Sequence, residues 1–589
     1  MHSSDGLNDA QRKAVIKTEG PLLILAGAGA GKTKTITHRI INLIKSGVSP
    51  HQILAITFTN KAAKEMRERV FKLIAEDKSI NLPVSISERP FLSTFHSLGV
   101  HILKENSARI NLRRHFSIFD RSDSIRTIKN AIKESDLDPK QWEPGRMLSI
   151  ISRWKGEGVS LSDYEEKATA NYLDRTLLIL WQKYESALKK ESALDFDDLI
   201  LKTYQLLRDH KDIRDKYNNI WRYIHIDEYQ DTNRVQYDIA KLLAGENKNI
   251  CVVGDIDQSI YSWRGADFKN IMRFEKDYDN TETILLEKNY RSTKKIIRAA
   301  NEVIAKNTLR KDKNLFTENP DGENISLFGG YDEGAEATYV AERIQDLIGK
   351  GVSPKEIAIL YRAHFQSRLL EESCLVFNIP YEVLGVRFFE RAEVKDMLSY
   401  LRFAIEPEST TDLSRIINTP PRGVGKVTLA KILSNEVDRL PAKAKDSYLS
   451  FVRITEKIRE IIKEKKLSES LHEILIISGI KKYLEEDGTE GEERLANIYE
   501  LIVVAEKYDE LPQMEAIEHF LTDAALASDQ DDIKENRETV KLMTVHAAKG
   551  LEFDYVFITG LEEDLFPHSK PDGSKKNLED NEEERRLFY

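Results

Sequence analysis

Apolar residues in this chain follow two rhythms. Short strand-like runs, unbroken and apolar at residues 22–25 and 250–253, mainly apolar at 53–57 and mixed at 222–226, alternate with longer stretches in which apolar positions recur every three or four residues. Runs that short predict buried strands of a parallel sheet, and the helical rhythm between them predicts packing helices. Alternation of this kind implies a doubly wound sheet with ligands at the C-terminal ends of its strands. Residues 7–15 predict a short helix with Asn8 or Asp9 as its cap, and residues 32–44 a second helix. Residues 91–97, FLSTFHS, read as a strand running into a loop. From about 106 to 190 the pattern is helical, broken by DLDPK and EPG, which predicts an inserted subdomain; ALDFDDLI at 193–200 begins the return.

The strand–helix pattern restarts at residues 284–292, ILLEKNYRS, and continues through the helix TKKIIRAANEVI. Strands are expected at 325–328 and 357–361, flanking a helix at 335–348. Residues from about 388 to 531 are again helical, and the α/β pattern resumes at Val540. The expectation is two α/β units, each split by a helical insertion, with no low-complexity segment and no solenoid period.

Composition narrows the class. A length of 589 residues suggests about three to five domains. With 41% hydrophobic and 32% charged residues the chain reads as an ordinary globular protein, not a disordered one. No stretch resembles a membrane span or signal peptide, and a cytoplasmic location is expected. Cys251 and Cys374, the only cysteines, lie in apolar runs and read as core, which removes a disulfide framework or cysteine metal site and fits a reducing compartment. A net charge of −10 argues against a chain basic throughout, but phosphate binding needs only local Lys and Arg.

The sharpest chemistry lies in LLILAGAGAGKT. A strand, then Ala26, Gly27, Ala28, Gly29, Ala30 and Gly31, then Lys32 and Thr33 opening a helix, is the context of a phosphate-binding loop. Small residues let successive N–H groups converge on an anion, and the helix N-terminus adds positive charge. Lys32 can reach terminal phosphates and Thr33 can ligate Mg²⁺. The first glycine of the usual pattern is Ala26, with Gly27 one place later. Asp227 and Glu228 close a strand, where a Mg²⁺ and water-activating pair is expected beside such a loop. Other groups stay open when taken singly. Gln11 can pair with an adenine edge or simply be a surface amide. Lys61, Lys64, Arg67 and Arg69 form a basic helix face that suits solvent equally well.

In chain order, LNDAQ, AGAGAGKT, ITFTNKAAKEM, STFHS, IDEYQDTN, GDIDQSIYSWRGAD, NYRS and TVHAAKGLEFDYVF closely resemble the motif series of the UvrD/Rep/PcrA family of superfamily 1A DNA helicases. The resemblance covers nearly the whole chain. It implies an α/β fold of two RecA-like P-loop NTPase domains, each interrupted by a mainly helical insertion. The corresponding divisions are 1–105 with 193–287, insertion 106–192, 288–386 with 540–589, and insertion 387–539. It implies an ATP-dependent 3′–5′ DNA helicase or translocase for repair or replication restart, using ATP and Mg²⁺. The implied partners are single-stranded DNA, single-strand/duplex junctions and repair or replication proteins; no membrane is involved, and the chain is expected to be monomeric or weakly self-associating.

Residue roles come over with the motifs. By resemblance Lys32 holds the β/γ-phosphates, Thr33 and Asp227 hold Mg²⁺, Glu228 is the general base and Gln258 senses the γ-phosphate. Arg291 is an arginine finger, a group typically worth about 10³ to 10⁵ in rate. Tyr290 stacks on adenine, Gln11 reads its edge and Glu552 binds the ribose. Lys34, in the nucleotide loop, stands where close relatives often carry Arg, keeping charge but not bidentate geometry. Matching DNA-contact positions are Phe58, Asn60, Lys61, His96, Phe196, Tyr261, Trp263, Arg264 and His546; each aromatic taken alone reads equally as core. Aromatic stacking grips any base, at about 1–3 kcal/mol each, and Tyr261 and Trp263 are the favoured steps. His96 and His546 have no third ligand group, so no metal is expected there. PPRGVGK resembles a duplex-contacting turn in which Gly423 and Gly425 admit a phosphate, although a plain interhelical turn has the same composition. The final residues EEERRLFY lead, in the family, into V-x-x-T-R-A, whose arginine has no counterpart in this sequence. The chain is therefore read as ending within the last motif, with nucleotide binding kept, turnover reduced and sheet edge exposed in the second domain. An ATP-gated DNA-binding module with little turnover is the alternative reading.

Overall fold

The structure is a computed structural model that describes residues 6–77, 80, 89–167, 171–384, 388–486, 488–526, 538–568 and 577–589. Its first unit contains β1 (Leu22–Ala26), β2 (Ile53–Thr57), β3 (Phe91–Thr94), β4 (Ser117–Phe119), β5 (Ala193–Asp195), β6 (Tyr223–Ile226), β7 (Ile250–Gly254) and β8 (Glu282–Leu286). Six of these form one parallel sheet in the order β3-β2-β6-β7-β1-β8. Side chains alternate between two cores: Leu22, Ile24, Cys251 and Val253 enter one, while Leu23, Leu25, Ile250 and Val252 enter the other. Burial on both faces is why these strands read as unbroken apolar runs.

The strand–helix pattern that restarts at residue 284 begins inside the first unit: residues 284–286, within the 193–287 division, lie in β8, which pairs with β1 from Leu22↔Glu282 to Ala26↔Leu286. Ile284 and Leu286 are buried while Leu285 is exposed, so this edge strand carries a half-buried pattern that either unit could use. Residues 91–97 do not run into a loop: β3 passes directly into the helix Phe95–Glu105. The Thr94 hydroxyl caps it by accepting from the Ser97 N–H at 3.2 Å.

The first insertion packs the helices Arg121–Glu134, Pro144–Gly156, Leu161–Lys167 and Tyr172–Lys190 around Trp181, Tyr184, Ile128 and Ile151. Its entry and exit are joined, because β4 pairs in parallel with β5.

The second unit begins at β9 (Lys288–Asn289), which pairs with β10 (Phe316–Thr317). Its main sheet holds β11 (Ile357–Tyr361), β12 (Tyr381–Val383), β13 (Val540–Thr544) and β14 (Tyr555–Ile558) in the parallel order β12-β13-β11-β14. Helices Glu333–Gly349 and Ser367–Val376 cover it. β11 is buried throughout, but Tyr555 and Val556 of β14 are exposed. The strand expected at 325–328 is absent: Ile325 and Leu327 face solvent, with no ladder partner among the described residues.

The second insertion is helical, as expected, and its core forms around Val394, Met397, Tyr400, Ile458, Leu471 and Phe520. Its helix Gln513–Leu526 reaches back to the first unit, where Leu526 joins the core and Glu518 pairs with Lys104 at 3.5 Å. Among the described residues no helix is long and apolar enough to cross a membrane.

Candidate nucleotide site and nucleic-acid interface

β1 delivers its chain into the loop at Ala26, which is fully buried as the last strand residue. The turn therefore starts at Gly27, whose N–H donates to the Leu286 carbonyl at 3.1 Å and where a Cβ would overlap Leu315. This explains why Ala26 is tolerated in place of the first glycine. Gly29 and Gly31 have φ of 63° and 80°, the left-handed region that glycine enters without strain. Side chains tie the loop down from both sides: Asn289 Nδ2 donates to the Ala28 carbonyl at 2.7 Å and Gln11 Nε2 to the Ala30 carbonyl at 3.0 Å. Lys34 Nζ donates to the Gly6 carbonyl at 2.8 Å, so it braces the N-terminal segment. Gln11 is buried, because Asn8 caps the helix Asp9–Ile16 in a capping box with it.

At the loop's end Lys32 Nζ lies 3.0 Å from the Glu228 carboxylate and 3.2 Å from Gln258 Oε1. Thr33 Oγ1 donates to Asp227 Oδ2 at 3.3 Å. Glu228 adopts φ 51°, a conformation that costs a non-glycine residue about 1 kcal/mol or more and is held here by the surrounding bonds. Gln230 Nε2 donates to its carboxylate, and Gln230 Oε1 accepts from the Asp255 N–H at 2.9 Å. The two adjacent carboxylates are driven apart in acidity. Burial, then the Glu228 charge, pushes Asp227 above the usual carboxylate range. Burial would raise Glu228 too, but Lys32 and Lys549 outweigh it and hold Glu228 ionised. A charged carboxylate beside a lysine and a desolvated one beside a hydroxyl suit a water-orienting group and a cation ligand respectively.

The second unit approaches over this cluster. The Tyr290 N–H donates to the Gly29 carbonyl at 3.0 Å, and its hydroxyl accepts from Asn8 Nδ2 at 2.8 Å. Arg291 pairs with Glu552, so both are held at the cleft rim and partly exposed. Lys549 Nζ binds Asp231 and, at 2.7 Å, the Gln258 carbonyl.

Beside the cluster runs an aromatic row. Phe58 stacks on Tyr261 with centroids 5.2 Å apart and planes 16° from parallel. Trp263 stands perpendicular to His546 at 6.3 Å, and Arg264 lies 4.5 Å over the Trp263 ring. His96 meets Phe196 edge-on at 5.6 Å. The two favoured stacking steps are not equivalent. Trp263 is 63% exposed, whereas Tyr261 is 7% exposed, enclosed by Phe58, His546, Arg264 and Lys549. Burial pushes His96 and His546 down to about 4, helped by Arg264 at the former and by Arg362 at the latter, so both rings are neutral at pH 7.

The family description "UvrD/REP helicase N-terminal domain" matches residues 7–279, and "UvrD-like helicase C-terminal domain" matches residues 284–589. The chain belongs to the UvrD-like helicase family. It is similar to the ATP-dependent DNA helicase PcrA of Staphylococcus aureus strain Mu50, 43% identical over 603 positions that cover 99% of this chain and 81% of the relative. The same values hold for the ATP-dependent DNA helicase PcrA of Staphylococcus epidermidis strain ATCC 12228.

Not every predicted position joins the two clusters of this UvrD-like chain. Asn60 Nδ2 donates to the Leu526 carbonyl at 2.8 Å, binding the second insertion. Lys61 sits one residue on and lies 4.0 Å from Glu65. Gly423 and Gly425 belong to the second insertion, between the helices Thr410–Ile416 and Lys426–Leu433. A Cβ at either would meet nothing within 4 Å, so the turn has an open face; only Gly423, at φ 72°, needs glycine for its backbone. Arg422, the apparent basic group of that turn, points inward and donates to the carbonyls of Ile416, Thr419 and Ser478.

Sequence reasoning missed Lys549, Asp231, Gln230 and Asp255. All lie inside the quoted motifs, so their place beside assigned residues was the available signal. It also missed the buried Lys155, which binds Asp195 at 2.8 Å and Asp198 at 2.9 Å and ties the first insertion to the helix that begins at Phe196.

Proposed function

We propose that the protein is an ATP-dependent DNA helicase that moves 3′ to 5′ along single-stranded DNA and opens duplex ahead of it, in repair or replication restart. One observation carries this reading. Gln258 meets Lys32 through its side chain and Lys549 through its carbonyl, three residues before Tyr261 in the aromatic row. A change at the phosphate site thus has a short covalent and hydrogen-bonded route to the DNA-facing surface.

In this reading Lys32 and the Ala26–Thr33 loop seat the phosphates, while Gln11, Lys34, Tyr290 and Glu552 enclose base and ribose. Thr33 and Asp227 fit a hard cation, since one desolvated carboxylate and one hydroxyl leave room for phosphate oxygens as further ligands. Thr33 and Asp227 would hold Mg²⁺, which when bound would supply neutralisation of phosphate charge. Glu228, ionised and fixed by Lys32 and Gln230, orients the attacking water and takes its proton. Arg291 leaves Glu552 to meet the γ-phosphate as the cleft closes. Trp263, Phe58, Phe196, Tyr261 and Arg264 grip bases, with Tyr261 uncovered as the row opens. Asn60, Lys61, His96 and His546 border that path, and Gly423 and Gly425 approach duplex backbone. Residues 1–105 with 193–287 and 288–386 with 540–589 are the two motor domains, and 106–192 and 387–539 are the insertions that hold DNA. The protein works in the cytoplasm on single-strand/duplex junctions, as a monomer or weak self-associate beside repair or replication proteins.

The ATP-gated module with little turnover is not favoured, because the similarity to named helicases extends over 99% of the chain. Strand displacement on 3′-tailed and 5′-tailed duplexes, with ATP hydrolysis measured in parallel with and without oligo(dT), tests the proposal. DNA-stimulated hydrolysis with opening of the 3′-tailed duplex is expected. Nucleotide-dependent DNA binding without hydrolysis returns the module reading.

A further inference from the structure

We infer that Lys313 is a positioning residue for ATP hydrolysis: reaching from the second unit, it grips Asp255 and thereby fixes the Gln258 amide against Lys32. The inference rests on the helicase reading above and concerns a residue outside every motif that supports it.

Lys313 lies between the helix Lys294–Ile304 and β10. Leu315, two residues on, packs against Gly27, so this stretch lies directly over the phosphate loop. The Lys313 side chain is 7% exposed, and its Nζ pairs with Asp255 Oδ1 and, at 3.0 Å, with Asp257 Oδ2. Both carboxylates belong to the first unit and follow β7. Burial and the nearby Lys32 charge push the Lys313 ammonium well below the ordinary lysine range, against the two carboxylates that its Nζ contacts.

Asp255 passes that grip on. Its Oδ2 accepts from Gln258 Nε2 at 2.7 Å. An amide has one donating and one accepting end, so holding Nε2 on Asp255 turns Oε1 toward Lys32. The backbone N–H of Asp255 donates to Gln230 Oε1, and Gln230 Nε2 holds Glu228, so the Asp255 residue touches Gln258 through its carboxylate and the Glu228 support through its main chain. Without Lys313 the buried Asp255 loses its cation, and a buried carboxylate in that position must take up a proton or a water. Either competes with Gln258 for Oδ2. Because Lys313 comes from the second unit and Asp255 from the first, the Gln258 amide is set only while the two are apposed. Lys313 therefore makes the phosphate-sensing geometry depend on cleft state before any phosphate is present.

The test is steady-state ATP hydrolysis in the presence of oligo(dT) by Lys313→Met, Lys313→Arg, Gln258→Ala and the double variant Lys313→Met/Gln258→Ala. Misplacing Gln258 is expected to lower kcat by about 10²-fold in Lys313→Met. The KM for ATP should stay within about threefold, because ground-state binding is not what is lost. Lys313→Arg should recover most of the rate, and the double variant should be no slower than Gln258→Ala. An unchanged kcat, a raised KM at constant kcat, or additive losses in the double variant overturns the inference. If Lys313→Met does not fold, Asp255→Asn cuts the same link at constant volume and carries the same expectations. Absence of hydrolysis by the unsubstituted chain counts against the helicase reading. Lys313 is then judged by a crystal structure of Lys313→Met, in which a Gln258 amide still bonded to both Asp255 and Lys32 refutes it and one turned away supports it.

Discussion

The two α/β units share one parallel architecture but hold their functional residues differently. In the first, Lys32, Asp227, Glu228 and Gln258 are bonded to one another at the ends of strands buried on both faces. In the second, Arg291 and Glu552 are more exposed and paired with each other, on a sheet whose β14 still shows Tyr555 and Val556 to solvent. The bonded cluster sits on the first unit and is completed by Lys313 and Lys549 from the second, whereas in the proposed mechanism Arg291 acts only once the cleft closes. Division of this kind lets a motor keep its nucleotide site ready while making turnover conditional on movement.

The largest test of that contrast is Arg291→Ala. Although the residue is exposed and its ion pair is worth little at rest, removing it should cut DNA-stimulated kcat by about 10³-fold or more. Nucleotide affinity, followed with a fluorescent ATP analogue, should change far less. Equal losses in affinity and rate would mean that Arg291 belongs to the preformed site and that the contrast is wrong.

A smaller effect separates the two aromatic faces. Trp263→Ala should weaken oligo(dT) binding by about 1–3 kcal/mol in nucleotide-free protein, since its ring is open to a base. Tyr261→Leu, which removes the aromatic face, should leave that binding unchanged, because the ring is 7% exposed and covered in nucleotide-free protein. Fluorescence anisotropy distinguishes them, and equal weakening by both would show that Tyr261 is already uncovered.

The smallest effect probes how well the first unit is sealed. His225 on β6 is 1% exposed, and burial, with Arg39 nearby, pushes it from the usual 6.5 down to about 3. The folded state thus favours the neutral ring, and the unfolded chain binds the extra proton below pH 6.5. Stability is full above that value and declines as pH falls toward the folded value, by about 1.4 kcal/mol from this group at pH 5.5. The melting temperature should therefore drop between pH 7 and 5.5, and His225→Gln should make the decline shallower, with groups such as His96 and His546 supplying the remainder. A flat profile in the unsubstituted protein would show a leaky interior.

What was legible in the sequence was whatever a local pattern dictates. Apolar runs gave β1, β2 and β7, and the small-residue loop followed by Lys32 and Thr33 announced the anion cradle. Edge strands were less legible: β8 alternates like a strand of either unit, and residues 325–328 have strand composition without a partner among the described residues. The helix after β3 was hidden because its cap, Thr94, also ends the strand. Arg422 and Lys313 could not be read at all. Each sits among other charged or polar residues, and only the folded chain turns one into a carbonyl-binding brace and places the other on Asp255.

The strand pairs that flank each insertion have a wider consequence. β4 lies beside β5, and β12 lies beside β13, so the chain leaves and rejoins each unit at points one strand spacing apart, about 4.8 Å. Everything between can be lengthened, shortened or exchanged without re-threading a sheet, since the closure entropy grows only slowly with loop length. Exchange at these sockets is limited only by side contacts such as Leu526 in the first unit's core and Glu518 on Lys104, so a replacement insertion must keep or dispense with those while the strand framework stays in place.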